Sequence, residues 1–264
     1  MNRSPIGESC ATMRDMGDRK LRRGLGLVTR VGPRELFRVG LRLLWSTSLS
    51  FGLLVDLEEP LKRPHPARIP VIMEVYDPGS FTGFKEELPR VSGANSVEVS
   101  GRQEFCDGGV RSLYVSVDES GSPIYAQWLV RRDEQESLHR IKNGLFPQLG
   151  EGEALLEGAY TFFSARGKGA MADGMAQLLA DARDAGDRKA YTYVAQGNVP
   201  SLRGCANVGF EPDHLRLVVN RFGIRKIKHA PVDAASQATW DKAVAPRKPA
   251  RPPREAPVQE PATS

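Results

Sequence analysis

The segment Ser164–Met175, SARGKGAMADGM, sets two glycines and two cations just ahead of a stretch with helical periodicity. A helix N-terminus leaves its first backbone N–H groups unpaired, and Ser, Thr, Asp or Asn normally caps them. Here Gly167, Lys168 and Gly169 precede Ala170 and Met171, where the helix is expected to begin, and none of the three carries a side-chain acceptor. Glycine lets the backbone curl and approach a ligand closely. Exposed amides, a helix dipole and the charges of Arg166 and Lys168 together suit an anion, most naturally a pyrophosphate. The alternative is a plain strand-to-helix turn capped by water. Two nucleotide loops are excluded. A Walker A loop needs Ser or Thr after Gly-Lys, whereas Gly169 follows Lys168. A dinucleotide fingerprint needs G-x-G-x-x-G, and GKGAMA has only the first two glycines.

Other reactive side chains are scattered. Cys10, Cys106 and Cys205 have no metal-type spacing, and an odd, unclustered set fits a reducing cytosol. His65, His139, His214 and His229 form no zinc motif, so no metal is expected. His139 and His214 read as surface residues. Tyr191 and Tyr193 alternate with Thr192 on an expected core strand, where packing is the default role. Glu153 and Glu157 lie four apart on an expected strand and so share a face.

These residues need elements to hold them. The chain has 264 residues and a 40% hydrophobic fraction, enough for one domain with tails. Residues 1–32 are Gly- and Arg-rich without periodicity and are expected to be disordered. The folded domain is expected over 33–230, and a Pro-rich disordered tail over 231–264. A basic amphipathic helix is expected at about 33–46, where Arg34, Arg38 and Arg42 make a stripe. That stripe suits peripheral contact with an anionic membrane; the alternative is a helix packed on the domain with a solvated basic side. The apolar run Leu43–Val55 is too short to span a bilayer and holds several serines. It reads as a helix end followed by a buried strand. No early apolar segment marks a secretory signal, so a cytoplasmic location is expected. The net charge of +5 is mild, and no aromatic-basic interleaving suggests nucleic-acid readout.

Between the tails the pattern is mixed α/β. FGLLVDL and RIPVIMEV read as strands, and RSLYVSVDESGSPIYAQWLVR reads as a hairpin. EALLEGAYTFF is a long strand, AMADGMAQLLADARDAG a helix with Met171, Met175, Leu178, Leu179 and Ala182 on its apolar face, and KAYTYVA another strand. PSLRGCANVG reads as a short helix with Pro200 in its first turn, and HLRLVVNRF and IRKI close the sheet.

RGKGAM resembles the Arg/Gln-x-x-Gly-x-Gly/Ala pyrophosphate loop of the GNAT superfamily of coenzyme A-dependent N-acyltransferases. NVPSLRGCANVGF resembles that superfamily's second signature, matched at Asn198, Ser201, Gly209 and Phe210. The resemblance runs from about Arg68 to Lys228 and includes the order of elements. It implies an α/β (α+β) fold: a mixed, largely antiparallel central sheet, splayed at the cofactor site and flanked by helices. It implies acetyl-CoA or another acyl-CoA as co-substrate and a small-molecule or peptide amine as acceptor. By position, Tyr160, Thr161 and Phe163 would line the groove for the pantetheine arm. Amides from Gly167 through Lys168, Gly169 and Ala170 to Met171 would hold the pyrophosphate, with Arg166 and Lys168 nearby. Asn198 and Ser201 would contact the cofactor or fix the splay. Glu157 falls where some members carry a catalytic carboxylate, and Cys205 where many have a Tyr that protonates the leaving thiolate. Met171 replaces the usual Gly or Ala, and Phe163 a frequent Pro. The activity it implies is N-acyl transfer, most simply N-acetyl transfer, by direct attack of an amine on the acyl-CoA; the alternative is a non-catalytic module that keeps the fold and binds coenzyme A or a partner.

Overall fold

The computed structural model describes residues 45–246 apart from 143 and 223. Runs rich in β-branched and aromatic residues form one eight-stranded sheet, comprising β1 (Trp45–Asp56), β2 (Glu74–Tyr76), β3 (Leu113–Val117), β4 (Pro123–Val130), β5 (Glu153–Thr161), β6 (Lys189–Ala195), β7 (Glu211–Arg221) and β8 (Ile224–Pro231). Their order is β2-β3-β4-β5-β6-β1-β7-β8. Every neighbouring pair is antiparallel except β5 and β6. A parallel pair needs a crossover, and the helix after the Gly-rich turn supplies it. The β3–β4 hairpin closes where expected, with the Asp118 carboxylate accepting from the N–H groups of Ser120 and Ser122.

Helices cover both faces. One face carries α1 (Gly83–Glu87), α2 (Ala94–Asp107) and α3 (Gln135–Lys142); the other carries α4 (Ala170–Asp184), α5 (Val199–Asn207) and α6 (Ala234–Val244). The sheet therefore divides two cores. Phe84, Phe105, Trp128 and Leu138 anchor the first, and Phe51, Leu53, Met175, Leu179 and Trp240 the second. The two-residue strand period sends Leu155 of β5 into one core and Leu156 into the other.

Three expectations meet a different structure. Of RIPVIMEV only Glu74 and Val75 are strand, in the short β2 that ends at Tyr76. Ahead of it, side chains take the backbone groups a ladder would need. Ile72 N–H donates to Ser116 Oγ at 3.1 Å, Met73 N–H donates to Gln177 Oε1 at 3.1 Å, and Gln177 Nε2 donates to the Val71 carbonyl at 2.8 Å. The basic helix expected at 33–46 lies outside the described residues except for its last two. Those two, Trp45 and Ser46, are strand, paired with Arg221 and Asn220 of β7. The segment from 231 onward is not a tail at its start. Asp233 caps α6 by accepting from the Ser236 N–H at 2.7 Å, and Trp240 packs edge-on to Phe51 with ring centroids 5.8 Å apart. The Trp240 ring, the Gln196 amide donating to Ser236 Oγ and Arg203 donating to the Ala243 carbonyl dock this helix on the second core.

Candidate functional site

β5 and β6 pair only at Glu153↔Lys189, Ala154↔Ala190 and Leu155↔Tyr191. Beyond that point β5 stays with β4 as far as Thr161, and β6 stays with β1 as far as Ala195. The two parallel strands diverge, and a cleft of about 190 Å³ opens between them. A β-bulge turns β5 away, marked by a register shift opposite Ala126–Trp128. Its pivot is Gly158, at φ +69°, where a Cβ would lie 2.7 Å from Trp128 Cε3 and 3.3 Å from Phe105 Cε2. Both rings are buried, so the bend is built from the first core upward.

Glu98 and Arg102 of α2 flank the cleft on one face of the sheet, and Met171, Met175, Ser201 and Cys205 of α4 and α5 flank it on the other. Glu157, Gly158 and Ala159 form one wall, and Thr192 to Ala195 the opposite wall. Splaying leaves carbonyls on the β5 edge without a strand partner, and two guanidiniums cap them. Arg102 donates to the carbonyls of Gly158 (3.0 Å), Ala159 (2.7 Å) and Glu98 (2.8 Å). Arg166 donates to the Thr161 carbonyl and to Tyr160 Oη, each at 3.2 Å. Arg102 therefore ties α2 to the bulge.

The Gly-rich turn stands at the start of α4. Gly167 (φ +75°) and Gly169 (φ +91°) adopt backbone conformations that other residues rarely take, and Gly169 is the N-cap with no side-chain cap bond. The turn is braced from behind: Arg68 N–H donates to the Lys168 carbonyl at 2.7 Å, and Ala67 Cα lies 3.1 Å from where a Gly169 Cβ would be. Lys168 is exposed, whereas Arg166 folds back along β5. Asn198 caps α5, its side chain accepting from the Ser201 N–H at 3.3 Å. Met171 fits because α5 offers Gly204 opposite it, where a Cβ would lie 3.0 Å from the Met171 sulfur.

Of the residues singled out from the sequence, Glu157, Met171, Asn198, Ser201 and Cys205 line the cleft. Tyr160, Thr161 and Phe163 do not. Tyr160 packs in the first core with its hydroxyl donating to Glu87 Oε1 at 3.2 Å, and the Phe163 ring is exposed beside Arg166. Burial raises the Glu157 carboxyl above its ordinary value, partly offset by the charges of Arg216, Arg102 and Lys142. Burial pushes the Cys205 thiol up to about 12, so it stays protonated.

Several side chains here escaped the sequence reading. Arg102 and Glu98 sit on a helix with a weak apolar pattern, and Gly158 gives no local signal beyond interrupting a strand. His214 is not a plain surface residue. Its Nδ1 lies 2.7 Å from Asp213 Oδ2 and its Nε2 lies 3.3 Å from Tyr193 Oη, in space left by Gly52. Among the described residues no helix is long and apolar enough to cross a membrane, and no three His, Cys, Asp or Glu side chains gather as a metal site.

No protein-family model matches the chain, and no curated protein matches it. Among solved structures, it is similar to an acetyltransferase of the GNAT family from Colwellia psychrerythraea. The identity is 17% and the TM-score 0.43, over 67% of this chain and 57% of that one. It is similar to a GCN5-related N-acetyltransferase from Sphaerobacter thermophilus at 14% identity and TM-score 0.42, over 75% and 58%. A GCN5-related N-acetyltransferase from Kribbella flavida gives 16% and 0.38, over 70% and 63%. The chain spans less than two thirds of the length of each of these three proteins.

Proposed function

We propose that this protein is an acyl-CoA-dependent N-acyltransferase, in the simplest case an N-acetyltransferase using acetyl-CoA. One observation carries the reading: the uncapped glycine turn that opens α4 and the cleft between β5 and β6 share Met171, so an anion site and a slender slot adjoin. The residues suit coenzyme A. Free amides at the start of a 15-residue helix, with Lys168 exposed beside them, favour a pyrophosphate. Beyond Leu155, β5 has no β6 partner, so a slender amide-bearing arm can lie between the two strands. Bound there, the acyl-CoA supplies an activated thioester for direct attack by an amine.

Each remaining part of the reaction falls to this chain. The new C–N bond forms as the C–S bond breaks, and negative charge gathers briefly on the thioester oxygen. That charge calls for a hydrogen-bond donor such as a backbone N–H of β5, whose bulge Arg102 fixes by donating to the Gly158 and Ala159 carbonyls. The amine must lose a proton. Glu157 takes it, because its raised pKa makes it a stronger base than an exposed carboxylate. The leaving thiolate is a weaker base than the Cys205 thiolate would be, since an ordinary thiol ionises at about 8.5. Cys205 therefore gives a hydrogen bond and keeps its proton, and solvent protonates the product thiol.

The test is thiol release from acetyl-CoA with the full chain across a broad panel of primary amines. Amine-dependent release supports the reading. Stabilisation by acetyl-CoA without turnover would replace the enzyme with a coenzyme A-binding module, and neither stabilisation nor turnover with any acyl-CoA would remove both.

A further inference from the structure

Arg216 is a buried cation whose hydrogen bonding is incomplete. It stands on β7 and is only 7% exposed. Its register partner on β1 is Ser50, which also pairs with Ala195 of β6, a cleft residue. The small Ser50 lets the arginine cross β1 and stand against Tyr193 of β6, behind the cleft's lining. Its guanidinium carbon lies 3.8 Å from the ring centroid of Tyr193, which lines the cleft, and 5.5 Å from that of Phe146. One terminal nitrogen donates to the Leu145 carbonyl at 3.1 Å. Nε is buried and has no partner among the described residues. No described carboxylate comes within ion-pair distance of this guanidinium, although Glu157 is near enough for each charge to bias the other's ionisation.

The other arginines near the cleft are spent. Arg102 donates from Nε and both terminal nitrogens to three carbonyls, and Arg166 uses two nitrogens on β5. Arg216 alone among these pairs deep burial with an idle donor. A buried donor without a partner carries a desolvation cost, heavier for a charged group, and an anion accepting from it removes that cost. A guanidinium also has the fork that receives a carboxylate by two hydrogen bonds.

We propose that the acceptor is an amine that also carries a carboxylate, of the amino-acid type. Arg216 receives the carboxylate beside Tyr193, and Glu157 takes the amine's proton. This rests on the acyltransferase reading and adds the substrate class to it.

The experiment compares matched acceptors: a free amino acid, its carboxamide, and the amine lacking the carboxyl carbon. Two readouts are taken on the full chain, acetyl-CoA thiol release and thermal stabilisation by the acceptor in the presence of coenzyme A. The free acid should be preferred over its carboxamide by about 10- to 100-fold in kcat/KM, the worth of a charge-assisted hydrogen bond. It alone should stabilise the protein. In R216Q the preference should collapse toward unity through KM, and R216K should restore part of it, which a merely misfolded variant would not show. Equal use of all three acceptors by the wild type would overturn the carboxylate assignment while leaving the acyltransferase intact. So would absence of stabilisation by any free acid. Absence of thiol release with every amine would instead fail the acyltransferase reading, and the stabilisation arm would still decide whether Arg216 binds a carboxylate.

Discussion

Gly158→Ala puts a methyl where the fold has no room for one. The new Cβ would lie 2.7 Å from Trp128 Cε3, 3.0 Å from Trp128 Cζ3 and 3.3 Å from Phe105 Cε2, against buried rings that pack edge to face. Overpacking a dense core costs about 1–3 kcal/mol. The φ of +69° adds a left-handed penalty of roughly 1–2 kcal/mol for any residue with a Cβ. The sum is about 2–5 kcal/mol, and at roughly 2–4 °C per kcal/mol for a chain of this size the melting temperature should fall by about 4–20 °C. Gly167→Ala is the control. It carries the same backbone penalty, at φ +75°, but a Cβ there meets nothing within 4 Å. Thermal unfolding followed by calorimetry should place Gly158→Ala below Gly167→Ala by the overpacking contribution alone, and near-UV dichroism should report a disturbed Trp128. Equal melting temperatures for the two variants would refute the claim that the strand divergence is built on Trp128 and Phe105.

Burial raises the Glu157 pKa, so the base form should be lost as pH falls through a midpoint above that of an exposed carboxylate. E157Q should remove this acid limb and lower the rate by about 10²–10⁴-fold, checked by kcat/KM against pH. For stability the sign is opposite. The folded state binds this proton more tightly than the unfolded chain, so that contribution is present at low pH and lost as pH rises through the folded pKa. E157Q should therefore melt above wild type at alkaline pH, with the gap closing in acid. Trp240→Ala should cost about 3–5 kcal/mol, because the ring is 7% exposed and packs on Phe51, and denaturant titration should detect it. A silent Trp240→Ala would mean that α6 is no part of the fold.

What could be read in advance was local. The apolar face of α4, the glycines before it, and a short helix opening at Pro200 follow from spacing within one turn or one helix. So does the β3–β4 hairpin, from two β-rich runs around ESGSP. The mixed sheet with a splay is what the resemblance carried by the two motifs and the order of elements implies. The rest depends on partners far along the chain. Gly158 reads as a defect in a strand until Trp128 and Phe105 are beneath it. Arg102 reads as an ordinary helix cation until the splay leaves carbonyls for it. Arg216 and His214 reach Tyr193 only because β1 supplies Ser50 and Gly52. Met171 reads as a misfit until Gly204 stands across from it. Residues 68–73 have strand composition, but Ser116 and Gln177 claim their backbone groups first. In α6, a Pro-rich sequence downstream masked a capped helix with one anchoring tryptophan.

The central claim is that the turn opening α4 receives the pyrophosphate of an acyl-CoA. Isothermal titration of acetyl-CoA into the wild type, G167N and G167D tests it most directly. Both variants bear similar side chains at the same left-handed backbone position, so they differ mainly in charge. The account predicts binding by wild type and G167N, with affinity about fivefold or more weaker in G167D, since like charges near a helix N-terminus repel at a cost of about a kcal/mol or more. Equal affinity in G167N and G167D, or no binding by the wild type, would contradict it.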